Sequence, residues 1–580
     1  MREAVPTPEL ALPAAHARAF PRVRVSTAAL AAGLFAFAWI YRFNTLGGAF
    51  AGFDNDHFIY FVRAQQIVRG ERPLRDFADL GLQGAWPSPT YLMPAVALRL
   101  FGETLLTEAV FSVTMVALSL TLAFVLIARV GGRLPAVVTT LLTLFVGTKL
   151  YNWPKLLVGA GATAVLMFYT ARPSRTRAAV MGAWTAVGFL FRHDYAVYLG
   201  IASIVAIVAS GTWASRRAVL AHGAAYGLTA ALLVAGPLGW VQRYAGIESY
   251  LRTHLEISRN ESRRTNLRWP KFTTAGVSPV GFFGNETNAT AWLYYLCWGI
   301  PLVALAAMRN GVGVTAMDPR RARALLLSII ALALLLDQFF LRGNLTGRLG
   351  DLGAPVALLA AWLMTSSGTR WTTRSALAGA CAAVILLCTA SSIWTISAVA
   401  HELDTSGLSD SVGKTVRRFR SVSADLSALP PGRAAMPPAD DLTAAGYLRA
   451  CTDPEDRVLV MARTPELLVM VNRPFAAGHP TFMTGFYTSE SDQRQTIDRL
   501  TRQSVPVVVT PPAEIYERDL VPEFPLVAAY LDARYRAVGE LPGPSGDRVR
   551  ILVERDRPSA GTFGEADLPC YRGSRRGGGR

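Results

Sequence analysis

The sequence predicts an α-helical polytopic membrane bundle of about eleven transmembrane helices, followed by a C-terminal extracytoplasmic α/β domain. Three observations predict it. The 580 residues are 51% hydrophobic and only 17% charged, too apolar for an ordinary soluble chain of this length. Apolar runs near the ~20 residues that a span prefers recur up to about Val399. After His401 they give way to short apolar runs, Val458 to Met461, Leu467 to Val471, Val507 to Thr510 and Val549 to Val553, set between polar, helix-like stretches such as Thr443 to Ala450 and Ser491 to Gln503. That alternation is the mark of a small α/β domain.

In chain order, residues 1–24 form a Pro/Ala-rich arm with Arg18, Arg22 and Arg24 beside the first apolar run, and are expected on the cytoplasmic side. No small-residue cleavage site follows a short core, so Val25 to Phe43 reads as an uncleaved signal anchor. Further runs cover Thr107 to Ala128, Leu134 to Leu150, Leu156 to Thr170, Ala178 to Phe191, Tyr195 to Ser210, Ala218 to Val241, Ala291 to Met308, Ala324 to Leu341, Gly353 to Ser367 and Ser375 to Val399, giving a transmembrane domain over 25–399. With the N-terminus inside, the inside loops are short and carry Arg129 and Arg133, then Arg172, Arg175 and Arg177, then Arg216 and Arg217, then Arg309 and Arg320 to Arg323, then Arg370 and Arg374. This is the arginine bias expected of cytoplasmic loops. The same threading puts outside the first loop, 44–106, then Tyr151 to Lys155, Arg192 to Asp194, the loop 242–290, Arg342 to Leu352, and everything after about His401. Residues 400–440 read as a stalk and linker, 441–572 as the extracytoplasmic domain, and 573–580 as a disordered basic tail.

The candidate chemistry lies in the outside segments. In Phe53 to Phe77, Asp54 and Asp56 follow the first span directly. Asp56, Tyr60 and Arg63 recur at helical spacing, with Phe58, Ile59, Phe61 and Val62 on a greasy side, which predicts a helix along the membrane surface with acid on its wet edge. An interfacial anchor with solvated charges has the same pattern. The loop 242–290 has a basic excess that includes Arg263 and Arg264, suited to gripping phosphate or to touching anionic headgroups. Lys155, Arg192, His193, Asp194, Arg342 and Arg348 sit where apolar runs emerge, positions that often line a cavity. Arg192 to Asp194 reads equally as a turn with a local ion pair. His193 has no partner at ligand spacing, so metal is unassigned. Asp337, inside a greasy run, is expected to find a partner near the outer interface. Cys451 and Cys570 fall in the outside domain and are expected to pair, whereas Cys297, Cys381 and Cys388 lie in apolar runs as packing residues.

The net charge of +17 comes almost wholly from arginine, as a GC-rich bacterial genome would give, and does not argue for nucleic acid. No zinc-finger, helix-turn-helix, RNA-binding, P-loop, dinucleotide, serine-elbow or paired CxxC signature is present. Asp56 followed by Tyr60, Ala64-Gln65-Gln66, Gly70-Glu71-Arg72-Pro73 and Asp76-Phe77 resembles the first extracytoplasmic loop of GT-C membrane glycosyltransferases, the superfamily of protein O-mannosyltransferases and lipid A aminoarabinose transferases. The resemblance is strongest over Phe53 to Phe101 and continues as a hydropathy pattern to about Val399. It departs from the family's usual Asp-Glu pair, since His57 follows Asp56 and the second carboxylate, Asp54, precedes it.

What the resemblance implies is a multi-pass cell-membrane glycosyltransferase of a bacterium. A polyprenyl-phosphate-linked sugar would enter from the outer leaflet, and a hydroxyl of an envelope glycan, glycolipid or protein would attack its anomeric carbon with inversion. In that chemistry a carboxylate takes the hydroxyl proton and cations stabilise the departing phosphate. Asp56 is read as the base and Asp54 as an auxiliary or metal-touching carboxylate. Tyr60, Lys155, Arg192, His193, Asp194, Arg263, Arg264, Arg342 and Arg348 are the donor-phosphate and substrate candidates. No cofactor is assigned, and a divalent metal stays open. The rival readings are a transporter or lipid flippase, which should show ionisable groups near mid-membrane, and a non-catalytic envelope polysaccharide assembly protein.

Overall fold

Hydrocarbon offers no partner to a backbone N–H or C=O, so an apolar run in a membrane has to satisfy them within itself, as a helix. Each of the eleven expected runs coincides with one. The computed structural model describes residues 26–46, 53, 55–79, 85–211, 215–264, 269–274, 282, 285–309, 318–339, 349–365, 373–396, 399–427, 443–544, 547–564 and 567–573. The helices of the bundle and its loops are α1 (Thr27–Asn44), α2 (Asn55–Val68), α3 (Pro89–Phe101), α4 (Leu105–Gly131), α5 (Arg133–Val146), α6 (Trp153–Ala171), α7 (Arg175–Phe191), α8 (His193–Gly211), α9 (Arg216–Tyr244), α10 (Ile247–Arg264), α11 (Glu286–Arg309), α12 (Pro319–Phe339), α13 (Gly353–Thr365), α14 (Thr373–Ile396), α15 (Val399–Ser406) and α16 (Val412–Ser427). Among the described residues, five helices (α4, α6 with the turn before it, α8, α9 and α11) are long and apolar enough to cross a membrane on length and composition alone, and α14 with α15, bent by 63°, would add a sixth. Others are shorter: α5 has 14 residues and α13 has 13.

Helix α4 packs against α1, α5, α6 and α13. Its buried face alternates Ala109, Ser112, Ser119 and Ala123 with Val116 and Phe124, and small residues let neighbouring helix backbones approach. The segments expected outside gather at one end of this bundle. Ser88 Oγ donates to the Leu190 carbonyl (2.9 Å), Trp240 Nε1 to the Pro73 carbonyl (3.0 Å), and Asn152 Nδ2 to Asp351 (3.0 Å). The arginine-rich loops meet at the other end, where Arg133 donates to Thr27 Oγ1 (3.1 Å) and Arg321 to the Ala171 carbonyl (2.9 Å).

Residues 400–427, expected as part of a stalk, instead hold α15 and α16 folded back on α1. Asn44 Nδ2 donates to the Ser406 and Thr415 carbonyls (both 3.0 Å), and Arg418 donates to the carbonyls of Asn44 (3.0 Å) and Leu46 (2.7 Å). The two Arg418 bonds satisfy carbonyls at the end of α1 and just beyond it, which the helix leaves open.

The C-terminal domain runs α17 (Ala444–Cys451), β1 (Val458–Val460), α18 (Glu466–Val471), α19 (Glu490–Arg502), β2 (Val507–Thr510), α20 (Pro525–Arg534), β3 (Tyr535–Pro542), β4 (Arg548–Glu554), β5 (Gly561–Phe563) and β6 (Leu568–Cys570). Its four-stranded sheet has the order β1-β2-β4-β3, with β1 and β2 parallel and the other pairs antiparallel. Leu467 to Val471, expected as a strand, is α18, closed by Asn472 in the left-handed region at φ 48°. Cys451 and Cys570 form the expected disulfide across a sequence separation of 119, tying α17 to β6.

The domain sits on the first loop. Arg457 pairs with Glu71, the Ala78 N–H donates to the Gly478 carbonyl (2.9 Å), and the Phe77 and Phe475 rings meet edge to face at 5.9 Å.

Candidate active site at the loop end of the bundle

Helix α2 does not lie along a surface. Phe58, Ile59, Phe61 and Val62 are buried as expected, but so are His57, Arg63, Gln65 and Gln66: His57 turns onto Glu108 of α4 and Gln65 onto Glu103, and the C-terminal domain lies over Arg63. Arg63 lies against His479, Phe486 and Tyr487 of that domain. Asp56 and Tyr60, one turn apart and so on one face, remain half-exposed.

Asp56 stands apart from its neighbours in the first loop. Glu71 pairs with Arg457, Asp76 accepts from the Arg72 N–H (2.7 Å) and Arg75 (2.7 Å), Glu103 accepts from Gln65 (3.3 Å), and Asp79 is fully bonded. Among the described residues none donates to the Asp56 carboxylate. Its neighbour His57 is turned inward, Nε2 lying 3.0 Å from Glu108 Oε1, which also accepts from Ser112 Oγ (2.9 Å). Tyr60 stacks on Tyr151 with ring centres 5.7 Å apart, and Lys149 lies over the far ring at 5.7 Å.

Two ion pairs continue the site towards the membrane. Arg192 grips Asp194 in a fork (3.1 and 2.9 Å) within electrostatic reach of Tyr60. Burial works against the Arg192 charge, but Asp194 outweighs it and raises the guanidinium above its ordinary range. Tyr195 lies within reach of both this pair and Asp351. Asp351 accepts from Lys155 Nζ (2.9 Å), Asn152 Nδ2 (3.0 Å) and the Thr148 hydroxyl. Gly350 makes this possible: a Cβ there would stand 2.2 Å from the Gly147 carbonyl, so only glycine lets the 349–352 turn come this close to the end of α5. Below that turn a narrow apolar cleft runs between α5, α11, α13 and α14, lined by Leu142, Val146, Leu293, Val356 and Ile385 and ending at Leu349 and Gly350.

A second polar centre lies to one side. Asp79 accepts from Tyr91 (3.1 Å) and Tyr250 (3.2 Å) and lies 3.0 Å from His254 Nε2. Burial alone would push its carboxyl up, yet the His254 bond and charge, with Arg63 and His193 behind them, hold it at about 2. His193 belongs here, its Nε2 2.8 Å from the Tyr250 hydroxyl, and not with Arg192.

The structure therefore brings Asp56, Tyr60, Lys155, Arg192 and Asp194 into one neighbourhood and puts His193 beside it. Asp54, Arg342 and Arg348 lie outside the described residues, as do the side chains of Arg263 and Arg264 at the end of α10. Asp337 differs from expectation: it is buried in α12 near Tyr294 and Cys297, and among the described residues neither of its oxygens has a partner. Sequence reasoning missed Asp79, Glu108, His254 and Lys149. Glu108 carried a signal, a lone carboxylate inside an apolar run; the others carried none. Among the described residues no three His, Cys, Asp or Glu side chains assemble a metal site.

No family model and no curated protein matches the chain. Among solved structures it is similar to crystal structures of ArnT from Cupriavidus metallidurans, in the apo state (15% identity, TM-score 0.48) and bound to undecaprenyl phosphate (12%, 0.46), each covering 91% of this chain and 98% of that one. It is also similar to the apo oligosaccharyltransferase of Archaeoglobus fulgidus (11%, TM-score 0.43, 93% of this chain and 75% of that one).

Proposed function

We propose that the chain is a membrane glycosyltransferase that moves a sugar from a polyprenyl-phosphate-linked donor to a hydroxyl of an envelope glycan, glycolipid or protein, with inversion, outside the cytoplasm. The observation that carries this reading is the state of Asp56: half-exposed and, among the described residues, without a donor, where the other described carboxylates of its loop are tied up. A carboxylate that already accepts two or three hydrogen bonds is a poor base, and one with lone pairs open to water is a good one.

The donor's isoprenoid tail fits the apolar cleft ending at Gly350, which brings its phosphate towards Lys155 and Arg192. Lys155 is held on Asp351, the residue after Gly350, which fixes its ammonium at that end of the cleft. Arg192 is oriented by Asp194, which positions it and keeps it charged. Tyr60, one turn along α2 from Asp56, presents its half-exposed side chain to a sugar. Asp56 takes the proton of the acceptor hydroxyl, the oxygen bonds to the anomeric carbon, and the carbon–oxygen bond to phosphate breaks, releasing polyprenyl phosphate. Phosphate leaves readily, so no second carboxylic acid is needed of the kind glycoside hydrolysis requires. Arg263, Arg264, Arg342 and Arg348 remain further phosphate candidates, Asp54 an auxiliary carboxylate, and His193 a positioning residue through Tyr250. No step is routed through a metal.

The test is release of polyprenyl phosphate by the purified full chain supplied with polyprenyl-phosphate sugars and envelope acceptors. Asp56→Asn should lose about 10²- to 10⁴-fold in rate, the usual cost of removing a general base, with an unchanged melting temperature. Full activity in that variant would sink the assignment, since asparagine caps a helix as well as aspartate does.

A further inference from the structure

We propose that the C-terminal domain carries a binding site of its own, a crevice at the carboxyl ends of β1 and β2 that takes a neutral saccharide unit. Strands β1 and β2 run parallel and finish at Val460 and Thr510. The β3–β4 hairpin turns at the same end, since Thr510 pairs with Arg550 and Pro542 with Arg548. Chain leaving parallel strands in this way opens a crevice, the usual ligand position in open α/β sheets. Here it is a cavity of about 460 Å³, within the size range of small-molecule sites.

Its lining selects the ligand class. Arg463 and Arg548 face Asp519 and Asp547, so opposite charges balance and neither an anion nor a cation is favoured. Asp519 is held by Arg518 (2.8 and 2.9 Å), and Arg548 by Glu540 (3.1 Å), which fixes planar groups while leaving lone pairs and N–H groups over. Adjacent hydroxyls of a sugar both donate and accept, and so match such a mixed set. Phe482 supplies an apolar wall. Met461, Ala462 and Thr464, at the end of β1, form the floor of the cavity.

One wall of the crevice is shared with the contact between this domain and α2. Its Phe482–Thr484 wall continues into Gly485, whose carbonyl accepts from Asn260 of α10 (3.0 Å), and into the residues lying against Arg63 of α2. If the transfer proposed above holds, the crevice holds the acceptor's sugar; saccharide binding itself does not depend on that reading.

The experiment titrates the full chain, in nanodiscs free of sugar-headed detergent, with maltotetraose, cellotetraose, mannotetraose and galactotetraose, and with a heparin tetrasaccharide as the anionic control, read by native mass spectrometry. At least one neutral tetrasaccharide should bind, and Arg548→Gln and Asp547→Asn should each weaken it about tenfold or more, with unchanged melting temperatures. Asp56→Asn should bind like wild type, so that loss of transfer and loss of binding are told apart. No neutral tetrasaccharide bound at millimolar concentration, binding indifferent to both substitutions, or binding of the anionic control alone would overturn the proposal.

Discussion

At the loop end of the bundle Lys155 is buried on Asp351, whereas at the opposite end Arg133 and Arg321 lie exposed, donating to the Thr27 hydroxyl and the Ala171 carbonyl. The same residue types thus do different work. An exposed arginine keeps its hydration and is free to set which end stays in the cytoplasm, while a buried ion pair surrenders hydration and holds only if its geometry is complete. Within the loop end a second contrast singles out Asp56, the described carboxylate of the first loop left without a donor.

The sharpest way to break the comparison is to unpair the buried lysine. Asp351→Ala should lower stability by about 3 to 5 kcal/mol, because the buried Lys155 loses this counter-charge, and Asp351→Ala with Lys155→Met should recover much of it. Thermal melts in detergent decide this, and equal melting by wild type and the single variant would show that the pair is incidental. Next comes the disulfide. Cys451→Ser should cost about 2 to 4 kcal/mol, read as faster proteolysis of the C-terminal domain, and an unchanged cleavage rate would deny the bridge a structural role.

A smaller effect is tied to pH. Burial, with Arg499 and Arg63 nearby, pushes His479 well below the usual histidine range, so the folded protein keeps it neutral where the unfolded chain would protonate it. Stability from this residue is therefore present above about pH 6.5 and declines below it, by about 1.4 kcal/mol per unit until the folded value is reached. His479→Gln should flatten the difference in melting temperature between pH 7.5 and 5.5. Least of all, Arg321→Gln at the opposite end should shift stability by no more than about 0.5 kcal/mol. A larger loss there would erase the distinction between the ends.

Local pattern was legible in the sequence and distant pairing was not. The apolar runs became helices because length and hydropathy act over one segment, and the Cys451–Cys570 bridge followed from two cysteines sharing one compartment. The Asp79–His254 contact spans 175 residues, and no periodicity connects them. Residues Leu467 to Val471 illustrate a different limit, since a short buried apolar run reads the same as strand or helix until its caps are seen. The amphipathic reading of α2 failed for a reason of its own: the pattern found the greasy face, but nothing in it told that His57 would turn onto Glu108 or that the C-terminal domain would lie over Arg63.

The shortness of α5 has a consequence for the bilayer itself. At ~1.5 Å per residue, its 14 residues reach roughly 21 Å, well under the ~30 Å of a hydrocarbon core. It lines the apolar cleft. A membrane meeting a wall that low thins to match it, which brings lipid headgroups down beside the cleft. A phosphate carried on a long isoprenoid chain would then step sideways into the protein with less climb than anywhere else around the bundle, and a thicker bilayer would slow its entry without touching a single catalytic side chain.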